Sequence, residues 1–323
     1  MSIHLAKQAP NQASFLSNLH QQLFRPVPPI PADLTLHGKT ALITGSNIGL
    51  GLECARQFLH LHPTRLILAV RSLPKGTTAA ATLRRDFPNA QIDVWQLDMS
   101  SMRSVQAFAA KCERELLDGL HVAVLNAALG KAKFERVEEE EEEGEGGKGR
   151  GHETTLQVNF LSTALLAVLL LPTMKLSASS ASSPDAEAAA GPARLTIITS
   201  DASLGVKLED PGDIRLLDSL ERPESFVAFE QYAVSKLLIT MFSARLAETI
   251  DPNEVVINCC NPGATKGTVL MREMDSWVVK MVMAVLYAIV GRNVEDGARI
   301  YVHAALVLGK ESHGSFTDWL VKS

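Results

Sequence analysis

Short, almost wholly apolar runs alternate with longer helical patterns along most of the chain. The apolar runs are rich in β-branched and aliphatic residues, as expected for central parallel strands that are covered on both faces. We predict strands at Thr40–Thr44, Arg65–Val70, Ile92–Leu97, Val122–Asn126, Leu195–Ser200 and Val255–Asn261.

The stretches between these strands have the length and periodicity of helices. We predict helices at Gly51–Leu61, Thr77–Phe87, Ser101–Leu117, Glu153–Met174 and Phe229–Ile250. A strand–helix–strand rhythm produces right-handed crossovers between parallel strands. The pattern therefore predicts an α/β fold with a doubly wound parallel sheet, and because we find no second core we expect a single domain.

Three segments depart from this rhythm. Residues 1–36 form an N-terminal extension, in which Ser14–Phe24 could form a short amphipathic helix before a proline-rich path. Residues 37–323 form the domain itself. Within it, the acidic run and glycines near 136–151 and the Ser-, Ala- and Pro-rich stretch near 177–193 predict flexible surface insertions. A partner site on the acidic run is the alternative to a solvated loop.

Composition narrows the class of protein. The 323 residues are 46% hydrophobic and 21% charged, which is typical of a globular protein, and the net charge of -5 gives no reason to expect a nucleic-acid partner. The four cysteines show neither metal-ligand spacing nor a disulfide framework, and Cys259 and Cys260 are predicted to be buried thiols. We therefore expect no metal and a reducing, cytoplasmic setting.

Two features bear on membranes. The N-terminal residues have no continuous apolar core of the kind found in a signal peptide. The apolar run Trp277–Val290 is shorter than the roughly 20 residues that span a bilayer. No integral membrane span is expected.

The first strand leads directly into a glycine-rich turn that a helix follows. This turn reads Gly45-Ser46-Asn47-Ile48-Gly49-Leu50-Gly51. Glycine is required where the backbone approaches a diphosphate, and the free amides at the start of the next helix favour an anion. We predict that Gly45, Ser46, Asn47, Ile48, Gly49 and Gly51 bind a dinucleotide; an ordinary turn with close helix packing is the alternative.

The ends of the next three strands carry further cofactor candidates. Arg71 stands where NAD-preferring folds have a carboxylate for the ribose 2′-hydroxyl, and its guanidinium suits a phosphate instead, so NADP(H) is favoured. Asp98 could accept a hydrogen bond from the adenine amino group or cap the helix near Ser101. Asn126 is expected to fix the turn beside the cofactor ribose.

Tyr232 is the only one of three tyrosines with a lysine four residues further on, Lys236. Residues at this spacing share one face of a helix. A phenol has a pKa of about 10, and a nearby ammonium lowers it and favours proton transfer at neutral pH. The pair therefore predicts an acid/base group, and a surface tyrosine and lysine are the alternative.

Three polar residues are candidates for hydrogen-bonding roles beside the Tyr232–Lys236 pair. Ser200 ends a predicted strand at the sheet edge where ligands gather, and its hydroxyl could donate to a substrate carbonyl. Ser203 competes for that role. Asn159 lies within a predicted helix, where asparagine is mildly unfavourable, so it either makes a functional hydrogen bond or is a polar surface residue.

Together these residues resemble the short-chain dehydrogenase/reductase family, whose fold is a Rossmann-type doubly wound sheet. The resemblance extends from about Leu36 to about Phe316 and includes the glycine turn, Tyr232-Ala233-Val234-Ser235-Lys236 and Asn261-Pro262-Gly263. The chain looks most like the fungal members tied to secondary metabolism and next like retinol-dehydrogenase-type reductases. Family members are commonly dimers or tetramers, so a homo-oligomer could be expected.

The resemblance implies a role for each matched residue. Tyr232 would donate the proton, Lys236 would lower its pKa and hold the nicotinamide ribose, and Ser200 would orient the carbonyl. Asn159 would hold a water in a proton relay. Pro262 and Gly263 would border the nicotinamide, with either Thr265 or Thr268 near its carboxamide.

Four departures from the family pattern affect the surroundings of these groups. Ala128 replaces a glycine, Asp201 follows Ser200 where a small residue or serine is usual, the threonine after Pro262-Gly263 is offset, and the acidic insertion replaces a short loop. None of the departures removes a predicted catalytic group.

The predicted function is an NADP(H)-dependent ketoreductase or alcohol dehydrogenase. Residues 204–228 and 266–290 are expected to form the substrate pocket, and the large apolar residues in and beside them favour an apolar carbonyl or alcohol; they include Phe226, Phe229, Met271, Met274, Trp277 and Met281. A non-catalytic NADP(H)-binding sensor or scaffold is the alternative.

Overall fold

Parallel strands form the centre of the molecule, and helices cover both faces of the sheet. The computed structural model describes residues 22, 24–138, 150–179, 191–206, 208, 212, 214–266 and 290–317. The strands of the main sheet are β1 (Thr40–Thr44), β2 (Arg65–Val70), β3 (Ile92–Gln96), β4 (Val122–Leu125), β7 (Ala193–Ile198), β8 (Val255–Cys260) and β9 (Phe316–Thr317). Their order across the sheet is β3-β2-β1-β4-β7-β8-β9, and every neighbouring pair is parallel.

Helices cover both faces of the sheet in the part of the chain that the structure describes, and the short helix Leu216–Leu220 packs in neither layer. The helices are α1 (Gly49–Leu59), α2 (Leu73–Asp86), α3 (Met102–Glu115), α4 (Ser162–Ser179), α5 (Leu216–Leu220), α6 (Ala228–Ala247) and α7 (Val294–Val302). Helices α3, α4 and α6 pack on one face of the sheet, and α1, α2 and α7 pack on the other. Neighbouring residues of β1 face opposite sides of the sheet. Leu42 packs in the core on the side of α3, α4 and α6, and Ile43 packs in the core on the side of α1, α2 and α7. The predicted α/β fold with a doubly wound sheet in a single domain is thus confirmed.

Several strands end earlier than the sequence predicts. The predicted strands that end at Leu97, Asn126, Ser200 and Asn261 end at Gln96, Leu125, Ile198 and Cys260 in the structure, one or two residues sooner. Strand β9 and helix α7 were not predicted. Within the described residues β9 is two residues long, and α7 is capped by Asn293, whose side chain accepts from the Asp296 amide at 2.6 Å.

The structure describes both ends of the first predicted insertion. Strands β5 (Arg136–Glu138) and β6 (Arg150–Glu153) form an antiparallel pair, and the residues between them lie outside the described part. The Arg136 guanidinium donates to the Gly151 carbonyl at 2.9 Å and forms an ion pair with Glu221. These contacts attach the hairpin to the loop that precedes α6, which the periodicity of the sequence does not reveal.

The structure also describes parts of the other two irregular segments. The predicted 177–193 insertion begins with the last turn of α4 and ends with the start of β7, and residues 180–190 lie outside the described part. Within the N-terminal extension, Val27 and Leu36 are buried in the core, and the Pro28 carbonyl lies 3.0 Å from His303 Nε2. The second half of the extension therefore packs on the domain.

Burial explains both the cysteines and the most apolar helix. Cys54, Cys112, Cys259 and Cys260 are free and buried, which confirms the expectation for the last two. The helical run Thr154–Ser177 is long and apolar enough to cross a membrane by length and composition, with a mean hydropathy of 1.8. However, 67% of that window is buried inside the protein, as is usual for a core helix.

Gly76 provides a test of the packing between α2 and the sheet. A Cβ atom there would lie 2.5 Å from Val70 Cγ2 and 2.6 Å from Val94 Cγ1. Alanine normally stabilises a helix relative to glycine by about 1 kcal/mol, but overpacking costs about 1–3 kcal/mol. We expect Gly76→Ala to lower the free energy of unfolding measured in urea. The exposed neighbour change Thr77→Ala is the control and should be neutral or slightly stabilising; a stabilised Gly76→Ala protein would contradict the close packing.

Candidate functional site

The carboxyl ends of the central strands open into one cleft of about 1970 Å³. This is larger than the roughly 300–1,000 Å³ of most small-molecule pockets, so it has room for a dinucleotide and a second ligand. Most of the sequence-predicted site residues line it. They are Gly45, Asn47, Ile48, Gly49, Gly51, Arg71, Asp98, Asn126, Ser200, Tyr232, Lys236, Pro262, Gly263 and Thr265.

The glycine turn fits an anionic group. Gly45 and Gly49 have φ of 66° and 58°, a backbone region that other residues rarely adopt. A Cβ at Gly51 would lie 2.5 Å from the Gly45 carbonyl oxygen, so α1 can begin this close to β1 only with glycine there. Ile48 precedes α1 and makes no side-chain cap, which leaves the first-turn amides to bind a diphosphate.

Ser46 departs from the prediction. Its side chain is fully buried, and its hydroxyl donates to the Ile43 carbonyl at 2.9 Å. It does not line the cleft. The Ser46 side chain therefore stabilises the turn from the core side and does not face the cleft.

Asn126 connects β4 to the glycine turn. Its side-chain amide donates to the carbonyls of Thr44 at 2.9 Å and Gly45 at 3.3 Å. Its Oδ1 accepts from the buried Tyr301 hydroxyl at 3.1 Å. The Thr44 hydroxyl in turn accepts from the Ala127 amide at 2.9 Å.

Sequence reasoning missed Tyr301 and Thr44. Tyr301 lies on α7, 175 residues after Asn126, and no local pattern connects the two. The tyrosine fixes which way the Asn126 amide points, and so keeps its NH₂ group on the turn.

The far end of the cleft carries positive charge. Arg71, directly after β2, and Lys75, four residues later on α2, are exposed and line the cleft. Lys75 was not predicted; its i+4 spacing from Arg71 was the available signal. No carboxylate follows β2 before α2 begins, so this end suits an added phosphate better than a free ribose hydroxyl.

Asp98 does not cap the helix that follows it. Its Oδ1 accepts from the Ser100 amide at 2.9 Å and the Ser100 hydroxyl at 2.6 Å. Ser101 caps α3 instead, accepting from the Ser104 amide at 3.2 Å. The capping interpretation of Asp98 is therefore wrong, while Asp98 remains at the cleft wall.

Tyr232 and Lys236 lie on one face of α6 at the other end of the cleft. Lys236 Nζ is 5.9 Å from the centre of the Tyr232 ring and donates to the Ile198 carbonyl at 2.8 Å. Only 3% of the lysine is exposed. Burial lowers the pKa of the Lys236 ammonium to about 8, and the nearby Cys259 opposes that shift.

A buried carboxylate holds the start of α6. Glu153 is fully buried and accepts from the Gln231 side-chain amide at 2.9 Å, and Gln231 also donates to the Leu220 carbonyl at 3.1 Å. Because Gln231 directly precedes Tyr232, these bonds help to fix the position of the tyrosine at the cleft. The sequence analysis did not single out either residue.

The two candidate serines differ in position. Ser200 lies two residues beyond the end of β7, lines the cleft and is half-buried. Its Oγ donates to Asp201 at 3.2 Å and accepts from the Ala202 amide at 3.3 Å. Ser203 is 2% exposed and gives its hydroxyl proton to the Ser200 carbonyl at 2.6 Å, so it does not line the cleft.

Asn159 is a buried structural contact beside the site. It lies in a π-helical turn (Gln157–Leu161), a feature frequent at functional sites. Its side chain accepts from the Leu129 amide at 2.9 Å, donates to the Leu129 carbonyl at 2.8 Å and donates to Ser235 at 3.0 Å. The surface interpretation of Asn159 is therefore wrong. The Asn159 side chain is buried and does not line the cleft.

The loop after β8 completes the wall. The Asn261 side chain accepts from the Gly263 amide at 3.1 Å, and the Thr265 hydroxyl donates to the Gly263 carbonyl at 3.3 Å. Pro262, Gly263 and Thr265 all line the cleft, whereas Thr268 lies outside the described residues.

Comparison with known sequences extends over the whole chain. The family model described as short chain dehydrogenase matches residues 39–183. The chain is 42% identical to the short chain dehydrogenase opdN of Penicillium oxalicum, with 98% of this chain and 97% of the relative covered. It is 41% identical to the short chain dehydrogenase virL of Hypocrea virens, with 100% and 88% covered.

Solved structures share the fold at lower identity. L-sorbose reductase from Gluconobacter frateurii, solved with NADPH and L-sorbose, superposes with a TM-score of 0.61 at 20% identity over 90% of this chain and 99% of that one. An NADPH-bound short chain oxidoreductase from Pseudomonas aeruginosa gives 0.61 at 18% identity over 88% and 96%. Identity this low supports only the fold. The two sequence relatives match this chain almost end to end at above 40% identity, and on that ground the chain belongs to the short chain dehydrogenase family.

Proposed function

We propose that this protein is an NADP(H)-dependent ketoreductase or alcohol dehydrogenase that acts on an apolar small molecule in fungal secondary metabolism. The observation that carries the proposal is the Tyr232–Lys236 pair on one face of α6 at the cleft, with the lysine buried. The likeness to short chain dehydrogenases of fungi supports the setting.

The residues of the cleft fit the cofactor. The amides at the start of α1 would bind the diphosphate, Arg71 and Lys75 would bind the 2′-phosphate, and Asp98 would face the adenine. When bound, NADP(H) would supply or accept the hydride. The NADPH in the two solved neighbours supports this choice of cofactor.

Side chains of this protein would carry out the proton transfer. In the reductive direction the Tyr232 phenol would protonate the substrate oxygen, and the Lys236 ammonium would favour the resulting phenolate through its charge. Ser200 would donate to the carbonyl oxygen. Asn159, bonded to Leu129 and Ser235, would hold the loop and a water that return the proton from solvent.

The described wall near Tyr232 supports an apolar substrate. Apolar side chains dominate this end of the cleft, among them Leu129, Val206, Leu208, Leu216, Leu220, Val227 and Phe229. Phe226 was expected in the wall but packs edge to face against Phe134 instead, with ring centres 5.7 Å apart. The predicted contributions from residues 267–289 lie outside the described part.

Removing the Tyr232 hydroxyl tests the acid/base role. We expect Tyr232→Phe to reduce kcat by about 10²- to 10⁴-fold, because general acid catalysis contributes that much, and to leave the Kd for NADPH within a few-fold of wild type. Stopped-flow NADPH oxidation with a panel of ketones measures kcat, and fluorescence titration measures the Kd for NADPH.

The control for this test is Met241→Leu, at a half-exposed position on the same helix, which should change neither value. A Tyr232→Phe protein that keeps most of its activity would rule out the mechanism, and a wild-type protein that binds NADPH without oxidation would favour a sensor.

Cofactor choice can be tested at Arg71. Losing one hydrogen bond to a charged group costs about 1.5–3 kcal/mol, so Arg71→Ala should raise the Kd for NADPH by about 10- to 100-fold. The Kd for NADH should change little, since NADH has no 2′-phosphate. Arg245→Ala, which removes a largely exposed arginine paired with Glu248, is the control. Equal weakening of both cofactors would exclude a 2′-phosphate contact.

The low pKa of Lys236 predicts a pH dependence of stability. A folded pKa of about 8 lies below the unfolded value of about 10.4, so the unfolded chain binds more protons between these values. Through this group, the free energy of unfolding should rise by about 3 kcal/mol as the pH increases from 8 to 10.4. Urea unfolding of the cofactor-free protein should show this rise in wild type and lose it in Lys236→Met. The exposed Lys310→Met variant should keep it, and parallel curves for wild type and Lys236→Met would refute the assignment.

A further inference from the structure

A carboxylate lies directly beside the serine that faces the cleft. Asp201 is half-buried, lines the cleft, and accepts a hydrogen bond from Ser200 Oγ through Oδ1 at 3.2 Å. Ser200 Oγ also accepts from the Ala202 amide at 3.3 Å. The serine therefore has one proton, and that proton is directed at Asp201.

This arrangement conflicts with the proposed role of Ser200. A serine hydroxyl carries a single donor, and an ionised carboxylate is a stronger acceptor than a ketone oxygen. While Asp201 holds the proton, Ser200 can offer only lone pairs to a substrate carbonyl. The Ser200 proton reaches a carbonyl oxygen only when the hydroxyl rotates away from Asp201, and another donor that takes its place on the carboxylate favours that rotation.

Among the described residues, no side chain supplies that donor. Asp201 forms no ion pair there, and Ser200 Oγ is its one side-chain hydrogen-bond partner. Lys131, a cation that lines the same cleft, is paired with Glu135 at 2.9 Å. A donor on the ligand itself would complete the site.

We infer that the substrate carries a hydroxyl group on the carbon next to its reacting carbonyl, and that Asp201 selects for it. The inference rests on the proposed function. The substrate hydroxyl donates to Asp201, which releases the Ser200 proton to the carbonyl oxygen. The two oxygens of such a ketone lie roughly one hydrogen-bond length apart, which matches the spacing of the Ser200 and Asp201 oxygens. The substrate class is an α-hydroxy ketone, or a vicinal diol in the oxidative direction.

A purely structural role for Asp201 makes a different prediction. Asp201 begins a short 3₁₀ turn (Asp201–Leu204), where a carboxylate interacts favourably with the backbone dipoles. Loss of that interaction would change the stability of the turn and the turnover of every ketone by a similar factor. Discrimination between two ketones would not change.

Two ketones of nearly equal size separate these roles. The probes are 2-hydroxy-1-phenylethanone and 1-phenyl-1-propanone, which differ by a hydroxyl in place of a methyl group. We expect wild type to favour the hydroxy ketone in kcat/KM by about 10- to 100-fold, because an analogue without the hydroxyl leaves a polar group unpaired. Asp201→Ala should lower kcat/KM for the hydroxy ketone and raise it for the other, since Ser200 then keeps its proton for the carbonyl.

Two controls and a binding measurement complete the experiment. Asp218→Ala removes an exposed carboxylate paired with Arg215 and should leave the ratio unchanged. Asp201→Asn keeps the side-chain shape and should give an intermediate ratio. Calorimetric Kd values for each ketone on the enzyme–NADP⁺ complex should show the same reversal without requiring turnover.

The outcomes separate this inference from the proposed function. NADPH oxidation with either ketone supports the proposed function, whatever the ratio between them. A wild-type preference that Asp201→Ala reverses or abolishes supports the role of Asp201. Equal use of both ketones by wild type, an unchanged ratio in Asp201→Ala, or no binding of the hydroxy ketone to the wild-type complex overturns it.

Discussion

A buried ammonium organises the reactive end of this molecule. Lys236 is almost fully buried, and transfer of a charged amine out of water is unfavourable unless partners compensate for it. The Ile198 carbonyl, at the end of β7, provides one such partner and joins α6 to the sheet edge. Tyr232 lies one turn away on the same helix, so the contact that anchors the lysine also sets the tyrosine at the cleft.

Several unusual local structures lie along the cleft that contains Tyr232 and Lys236. A π-helical turn carries Asn159, two positive-φ glycines shape the turn after β1, and Glu153 is a fully buried carboxylate. The π-helical turn and the buried carboxylate are unfavourable for an isolated segment, and hydrogen bonds from other parts of the chain hold both of them. Local exceptions of this kind collect at functional sites, because binding and proton transfer require geometry that regular elements do not provide.

The cofactor cradle depends on contacts from distant segments. Asn126 on the loop after β4 ties down the turn after β1, and Tyr301 on α7 orients Asn126. Gly297, four residues before Tyr301, lies so close to Leu50 and Thr265 that a Cβ would approach them within 3 Å. Helix α7 therefore braces the glycine turn and the loop after Pro262 together, which couples the two ends of the cofactor site.

Periodicity and short motifs were sufficient to predict the fold class, five of the six predicted strands to within one residue, the glycine turn, and the pairing of Tyr232 with Lys236. These properties follow from backbone geometry over a few residues, so they can be derived from the chain locally. The burial of Asn159, the cap at Ser101 rather than Asp98, the turn of Ser46 away from the cleft, and the roles of Tyr301 and Glu153 were decided by tertiary contacts. Such contacts join residues that are far apart in sequence, for example Asn126 and Tyr301 or Glu153 and Gln231. Whether a polar side chain faces water, a ligand or another backbone depends on what packs against it, and that is established only when the whole sheet and its helices come together.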